Sequence, residues 1–391
     1  MRNRWGVLAV LFIVRLTIAF QFQSVAAVAP LLGHDFDVTL ADIGVLIGLY
    51  FTPGVVLSLP GGAIGKRFGD KATVLGALAL MLVGSLAMAL ADSWGWQMAG
   101  RLVAGAGGVL LNVQLTKIIA DWFAGKEIAT AMAIFVSSWP VGIGLSLLIL
   151  PVIGTAHGVK AVDFSVAALV ALAIALAVTY RPPATEVAPG ASTARLGFNA
   201  MLAVTVAGLI WGLFNVGFAT IFSFGPTLLA ERGWSIAAAG SVLSILLWIS
   251  VFSVAFGGFA ADRLKRPQTI VVAGSLLFAG LMLTFSHTNA VISPLIAIGL
   301  ISGQPAGPMM SLPARVLQPA TRAIGMGLFY TLYYAAMMLG PIIGGAGAKW
   351  TGSAGAAFDF GAAVLVACPL LLWLFNRIAA RKLADKKAPV A

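Results

Sequence analysis

Runs of about 20 apolar residues alternate with short polar breaks along the whole chain. A helix of about 20 apolar residues spans a hydrocarbon layer ~30 Å thick. The pattern therefore predicts twelve membrane-crossing helices, over about 5–32, 42–65, 72–91, 96–120, 127–150, 160–180, 198–229, 236–261, 268–286, 290–312, 323–348 and 356–378. Residues 181–197 are rich in Pro, Gly, Ser and Thr and read as a cytoplasmic linker. The linker divides the chain into a six-helix bundle over 1–180 and a second over 198–391. The fold class expected is an all-α membrane protein of two six-helix pseudo-repeats. Arg2, Arg4 and Ala27-Val28-Ala29 also fit a cleaved signal peptide. Arg15 interrupts that apolar run and the segment has a counterpart in the seventh span, which favours a retained helix.

Composition sharpens the class. Charged residues make up 9% of the chain, against about 25% in soluble domains. The net charge of +11 would suggest nucleic acid if it were clustered on one domain. Instead, most of the 24 Lys and Arg fall in segments that share one side of the membrane, and only Lys160, Arg232 and Lys349 fall on the other. That bias puts both termini in the cytoplasm and makes the bilayer, not nucleic acid, the partner of the basic patches. Cys368 is the single cysteine, so no intrachain disulfide forms, and no Cys/His cluster suggests a metal or other cofactor. Trp5, Trp94, Trp96, Trp122, Trp234 and Trp350 fall at span ends as an aromatic belt, whereas Trp139, Trp211 and Trp248 fall inside spans.

The polar break Gly62-Ala-Ile-Gly-Lys-Arg-Phe-Gly-Asp-Lys71 returns as Gly258-Phe-Ala-Ala-Asp-Arg-Leu-Lys-Arg266 at an offset of 196 residues. The same offset carries Arg15 to Trp211, Phe22 to Phe218, Pro30 to Pro226, Gly44 to Gly240 and Gly108 to Gln304. A Gly-x-x-x-Asp-Arg-x-Gly-x-Lys break after the second span, duplicated at half-length, resembles the signature loop of the major facilitator superfamily (MFS) of secondary transporters. Arg101-x-x-x-Gly105-x-Gly107 and Gly340-Pro-Ile-Ile-Gly-Gly345 resemble the family's fourth-span and packing motifs. The first loop departs from the pattern, with Lys66 where the acid belongs and an acid at Asp70; the second has Lys265 in place of its second Gly. The resemblance implies two halves rocking about a central site lined by spans 1, 4, 7 and 10. It implies a monomer, and interhalf contacts through Gly62, Arg67, Gly258, Asp262 and Arg263. Leu59-Pro-Gly-Gly-Ala and Phe22-Gln-Ser-Val are most similar to the cyanate/nitrate-type permeases, although spans 2 and 8 lack the mid-span arginines of nitrate carriers.

A charge inside a span costs roughly 2.5–3.5 kcal/mol or more at the bilayer centre, so each one is a candidate site. Arg15 lies near the midplane, and Arg101, Gly105, Gly108 and Asn112 share one helix face. Snorkelling, or a structural tie to a carbonyl, is the competing reading for both arginines. Lys117 reads as snorkelling. Trp211 and Asn215 match the level of Arg15 in the second half, and Gly303-Gln304-Pro305-Ala306-Gly307-Pro308 breaks the tenth span. Tyr330 and Tyr334 sit one turn apart, with Tyr333 pointing elsewhere. Arg15 and Arg101 are the expected anion-attracting groups. Asn112, Asn215 and Gln304 are the expected hydrogen-bond partners, and Trp211, Tyr330 and Tyr334 the aromatic wall. Asp42, Asp92, Asp163 and Asp359 fall at span ends, so no membrane-embedded proton carrier is expected.

Guanidinium recognises carboxylates with two parallel bonds, so unpaired intramembrane arginines favour an anion. The expected function is secondary active transport of a small anionic solute across a bacterial-type inner membrane by alternating access. An exporter of drugs or other hydrophobic compounds, and a non-transporting receptor or scaffold, are the alternatives. No nucleophile–base pair or metal constellation suggests an enzyme.

Overall fold

The computed structural model describes residues 3–58, 60–123, 128–180, 196–264, 266–318 and 321–385, and every regular element among them is helical. Eleven helical segments are long and apolar enough to cross a membrane. One of them, α8 (Ile128–Thr179), turns at Gly158, where φ is 81°, and so holds two limbs. A side chain at that φ would be strained, so glycine is what permits the turn. The remaining residues of the expected linker's core, 181–195, lie outside the described residues.

Proline decides where the expected spans break. The first span is α1 (Arg4–Ala27) followed by α2 (Ala29–Phe36), with Pro30 in the first turn of α2. The second span, expected as one helix, is three: α3 (Leu40–Leu49), α4 (Thr52–Leu57) and α5 (Gly61–Phe68). Pro53 and Pro60 lack the N–H that would continue the ladder. Next come α6 (Asp70–Ala89), α7 (Trp94–Trp122) and α8, then α9 (Phe198–Glu231), α10 (Ile236–Leu264) and α11 (Pro267–His287). The tenth span breaks at Gly303–Pro305 into α12 (Ile292–Ser302) and α13 (Ala306–Met310), with a 3-10 turn at Pro313–Arg315. The chain closes with α14 (Arg322–Thr351) and α15 (Gly355–Asp385).

Helices before residue 181 pack chiefly on one another (α1 on α8, α6 on α7 and α8), as do those after residue 195 (α9 on α14 and α15, α10 on α12, α11 on α15). Two seams join the groups, α3 with α14 and α8 with α10. We call the end that carries Arg4 and Asp385 the terminal end, and the other the distal end.

Both seams rest on close backbone contact. A Cβ on Gly44 would strike the Pro341 carbonyl, and one on Gly240 the Leu147 carbonyl. Gly44 and Gly240 are the repeat-related pair found in the sequence, so equivalent glycines serve equivalent seams. Gly48 and Gly345 extend the first seam against Met338 and Leu40, and Ser58 Oγ meets Thr331 Oγ1 at 2.8 Å towards the terminal end. Gln23 Nε2 donates to the Phe222 carbonyl at 2.6 Å and ties α1 to α9.

Lys117, expected to snorkel, is held by two ion pairs. It lies 2.8 Å from Asp70 Oδ1 and 3.3 Å from Asp121 Oδ2, and Gln114 Nε2 also donates to Asp70 at 2.5 Å. The acid displaced to Asp70 in the first loop therefore clamps α6 to α7 within one half.

Candidate functional site

A cavity of about 180 Å³ lies between the two groups of helices. Arg15 on α1, Asn112 on α7, Trp211 and Asn215 on α9, and Tyr334 on α14 all line it. These are five of the residues the sequence put forward. Tyr333 lines it too, although it was expected to point elsewhere. Phe51, Trp139, Phe214 and Phe218 complete an aromatic wall that the sequence reading missed, and Ser250 and Ser302 add hydroxyls. Among the lining residues only Arg15 carries a charge.

The local sequence explains how Arg15 is held. Pro140 sits inside the first limb of α8 and has no N–H for the carbonyl four residues earlier, that of Val136. Arg15 Nη1 takes that carbonyl at 3.1 Å, and lies 3.0 Å from both the Phe135 carbonyl and Ser138 Oγ. Arg15 Nε donates to Asn112 Oδ1 at 3.2 Å. The guanidinium carbon stands 4.6 Å from the Phe135 ring centroid and 5.9 Å from that of Trp139. All four hydrogen-bond acceptors are neutral, so the positive charge is oriented but not neutralised. Nη2 has no hydrogen-bond partner among the described residues. Asn112 Nδ2 continues the chain to Tyr334 Oη at 3.3 Å and so links the two halves through the site. In α9, Asn215 Nδ2 bonds back to the Trp211 carbonyl at 2.8 Å, which leaves its Oδ1 as an acceptor. The ring of Trp211 stacks on Tyr333 at 6.3 Å.

Three of the expected residues stand apart from the cavity lining. Arg101 is 0% exposed and gives its donors to backbone carbonyls: Leu46 at 3.2 Å, Gln21 at 2.8 Å and Phe22 at 2.6 Å. Its guanidinium carbon stacks 4.6 Å from the Tyr50 centroid. The structural tie is thus the geometry found for Arg101. Its stripe partners Gly105 and Gly108 receive the backbone and ring of Tyr50, so much of that face is a helix-crossing seam. Gln304 Nε2 donates to the Leu300 carbonyl at 2.8 Å and caps the broken end of α12 rather than facing the cavity. Tyr330 packs behind Tyr333 at 6.3 Å, near enough to Arg15 to interact electrostatically. Two signals in the sequence could have found the missed wall: Trp139 inside a span, and Pro140 beside it.

Of the expected interhalf residues, Arg67 and Arg263 are exposed, and the Arg67 guanidinium lies 5.6 Å from the Phe68 ring. Gly62, Gly258 and Asp262 are helical, but their burial and side-chain surroundings lie outside the described residues.

The sequence profile of the Major Facilitator Superfamily matches residues 11–336 and 201–390. The uncharacterized MFS-type transporter YbcL of Bacillus subtilis is 25% identical, over 98% of this chain and 99% of its own. The 3-(3-hydroxy-phenyl)propionate transporter of Escherichia coli is 25% identical, over 85% of each chain. In fold alone, the inward-open xylose transporter XylE of E. coli superposes with a TM-score of 0.79 at 12% identity, over 95% of this chain and 96% of that one. With its all-helical architecture, membrane-length helices and central cavity, the chain belongs to the Major Facilitator Superfamily and is a membrane transporter, not an enzyme.

Proposed function

We propose that the protein moves a small organic anion across a bacterial-type inner membrane by alternating access, with both termini in the cytoplasm. One observation carries this reading: Arg15 is the single charge on the cavity lining, and it is held by neutral acceptors. A carboxylate entering the cavity would find that unneutralised charge and the free Nη2, with Asn112, Asn215 and the hydroxyls of Tyr333 and Tyr334 nearby. The rings of Phe51, Trp139, Trp211, Phe214 and Phe218 suit an apolar or aromatic body on the same molecule. The substrate in the name of the E. coli 3-(3-hydroxy-phenyl)propionate relative has this chemistry. A cyanate or nitrate ion would leave most of that wall without contact, which argues against the subgroup suggested by Leu59-Pro-Gly-Gly-Ala.

Alternating access would open and close the seams. The glycine contacts hold the distal end shut, so the structure fits a state facing the terminal side. In the converse state, the loops bearing Arg67 and Asp262-Arg263 would hold the terminal end shut. Export of drugs or other hydrophobic compounds is the second reading, favoured by the same apolar wall.

A thermal-shift screen of the purified chain separates the two, with aromatic and aliphatic carboxylates, inorganic anions and lipophilic cations run beside Arg15→Met. Stabilisation by organic carboxylates that is lost in Arg15→Met supports the anion carrier. Stabilisation by lipophilic cations that is equal in both proteins rejects it.

A further inference from the structure

Repeat-related corners of the two halves differ at the terminal end. In the first half, the start of α6, the end of α7 and the end of α8 meet in a corner that is filled and paired. Lys71 Nζ donates to the Val178 carbonyl at 2.7 Å. Tyr180, just past α8, is buried and accepts from Trp122 Nε1 at 3.4 Å. Lys117 answers the acids Asp70 and Asp121. The 196-residue offset carries Asp70 to Arg266, Ile119 to Arg315 and Tyr180 to Asn376. An acid and an apolar residue give way to two bases, and a large ring gives way to a short amide. The second corner holds a pocket of about 270 Å³ between α11, the turn at Pro313–Arg315 and α15. Gln268, Ser311 and Arg315 line it, with Val271, Leu312 and Leu372.

This pocket is rich in donors. Arg315 is exposed, and its Nη1 donates to Asn376 Oδ1 at 3.1 Å. Gln268 Nε2 donates to the same oxygen at 3.2 Å, so one acceptor serves both side chains. Arg315 Nε and Nη2 have no hydrogen-bond partner among the described residues, and no acid among them pairs with Arg315. Its guanidinium carbon lies 5.3 Å from the Phe375 ring centroid. Arg266, also exposed, directly precedes Pro267, which lines the pocket too. On α15, Trp373 and Arg377 each follow a residue of this corner, Leu372 and Asn376, and both are exposed. The Arg377 guanidinium carbon lies 5.1 Å from the Trp373 centroid, and Leu370, three residues towards the distal end, is exposed as well. A tryptophan and an arginine at the edge of an exposed apolar face mark the headgroup level of a bilayer.

We propose that this corner binds an anionic phospholipid. The phosphodiester takes the open donors of Arg315, and an acyl chain lies along the face of Leu370 and Trp373. Basic pockets between membrane helices hold such headgroups. A soluble phosphate could take the same donors but would leave that apolar face uncovered, and the face is what selects a lipid. The bound lipid bridges α11, the turn at Pro313–Arg315 and α15, and so fastens the terminal end of the broken tenth span.

Native mass spectrometry of the full chain in a neutral detergent tests this by resolving single lipid adducts. Phosphatidylglycerol and phosphatidylcholine are titrated separately, with inorganic phosphate and glycerol 3-phosphate as competitors. The wild type should bind phosphatidylglycerol about fivefold or more tightly than phosphatidylcholine, the size expected of one basic residue at a headgroup. Arg315→Gln should lose that preference. Asn376→Tyr should lose it too, because it fills the corner as Tyr180 fills the first one. Lys71→Gln, at the first corner, should keep it. Equal affinity for the two lipids, or a preference that survives in either second-corner variant, overturns the assignment. An equal loss in Lys71→Gln also overturns it, because net charge alone would then explain the preference. Displacement of the lipid by equimolar phosphate or glycerol 3-phosphate overturns it in favour of a soluble anion. If Arg315→Gln does not fold, Asn376→Tyr decides. The pocket shares no residue with the cavity, so each of these results leaves the reading of the transported anion standing.

Discussion

Two arginines lie inside the first group of helices, and their surroundings differ in one respect. Arg15 meets a helix whose ladder is already broken, so it can satisfy the Val136 carbonyl with one side of its fork and keep the other side at the cavity. Arg101 meets three carbonyls from α1 and α3 and is closed over by Tyr50 and Phe22. The first is a charge left facing the cavity, and the second is a fastener between helices. An intramembrane charge is therefore informative only once its acceptors are known. What separates these two is that every guanidinium nitrogen of Arg101 is engaged by a carbonyl, whereas Arg15 lines the cavity with one nitrogen unengaged.

Substitutions can break that contrast, and the largest effect belongs to the fastener. Arg101→Met removes three hydrogen bonds from a buried charged donor to the Leu46, Gln21 and Phe22 carbonyls, and a hydrogen bond from a charged group is worth about 1.5–3 kcal/mol. Its melting temperature in detergent should fall furthest of the variants named here. Arg15→Met should reverse the pattern, with a smaller fall in melting temperature. It should lose about 1.5–3 kcal/mol of anion binding, roughly a 10- to 150-fold weaker Kd by titration of the stabilising carboxylate.

The seams give the next effect. Gly44→Ala and Gly240→Ala each drive a methyl into a carbonyl of the facing helix, and overpacking of this kind costs about 1–3 kcal/mol. Spin labels at His157→Cys and Asn289→Cys, in a Cys368→Ala background, should report a longer distal separation in both variants, because the two positions are repeat-related. A response in only one would show that the seams do not act together. Smallest is Pro140→Ala, which restores the N–H that competes with Arg15 for Val136. A change of about 0.5–1.5 kcal/mol in anion affinity, up to about tenfold, is expected by the same titration.

The architecture was legible because hydrophobic run length is a strong signal in a bilayer, and the 196-residue offset exposed the duplication. Arg15, Asn112, Trp211, Asn215 and Tyr334 were legible because each is costly or unusual inside a span. Arg101 and Gln304 carried the same signal for another reason, since each satisfies carbonyls of a neighbouring or broken helix. Nothing in sequence spacing separates a donor aimed at a ligand from one aimed at the backbone. Tyr333 was assigned to the wrong face although positions i, i+3 and i+4 of a helix are neighbours, which puts Tyr330, Tyr333 and Tyr334 on one side of α14. Asp163 was dismissed by its nearness to a loop, but the turn at Gly158 folds the second limb of α8 against α7 and covers it. The aromatic wall gathers from α4's flank at Phe51, from α8 and from α9, and only the packing of the two halves brings those rings together.

The most direct test of the central claim uses the cavity's own tryptophans, Trp139 and Trp211, as reporters. Emission is followed while the carboxylate that stabilises the protein best, and separately its neutral primary amide, are titrated into the wild type and into Arg15→Met. If Arg15 is the anion-binding group, the wild type binds the acid at least tenfold more tightly than the amide, and the preference vanishes in Arg15→Met. Equal binding of acid and amide by the wild type, or an acid preference that persists in Arg15→Met, would contradict it.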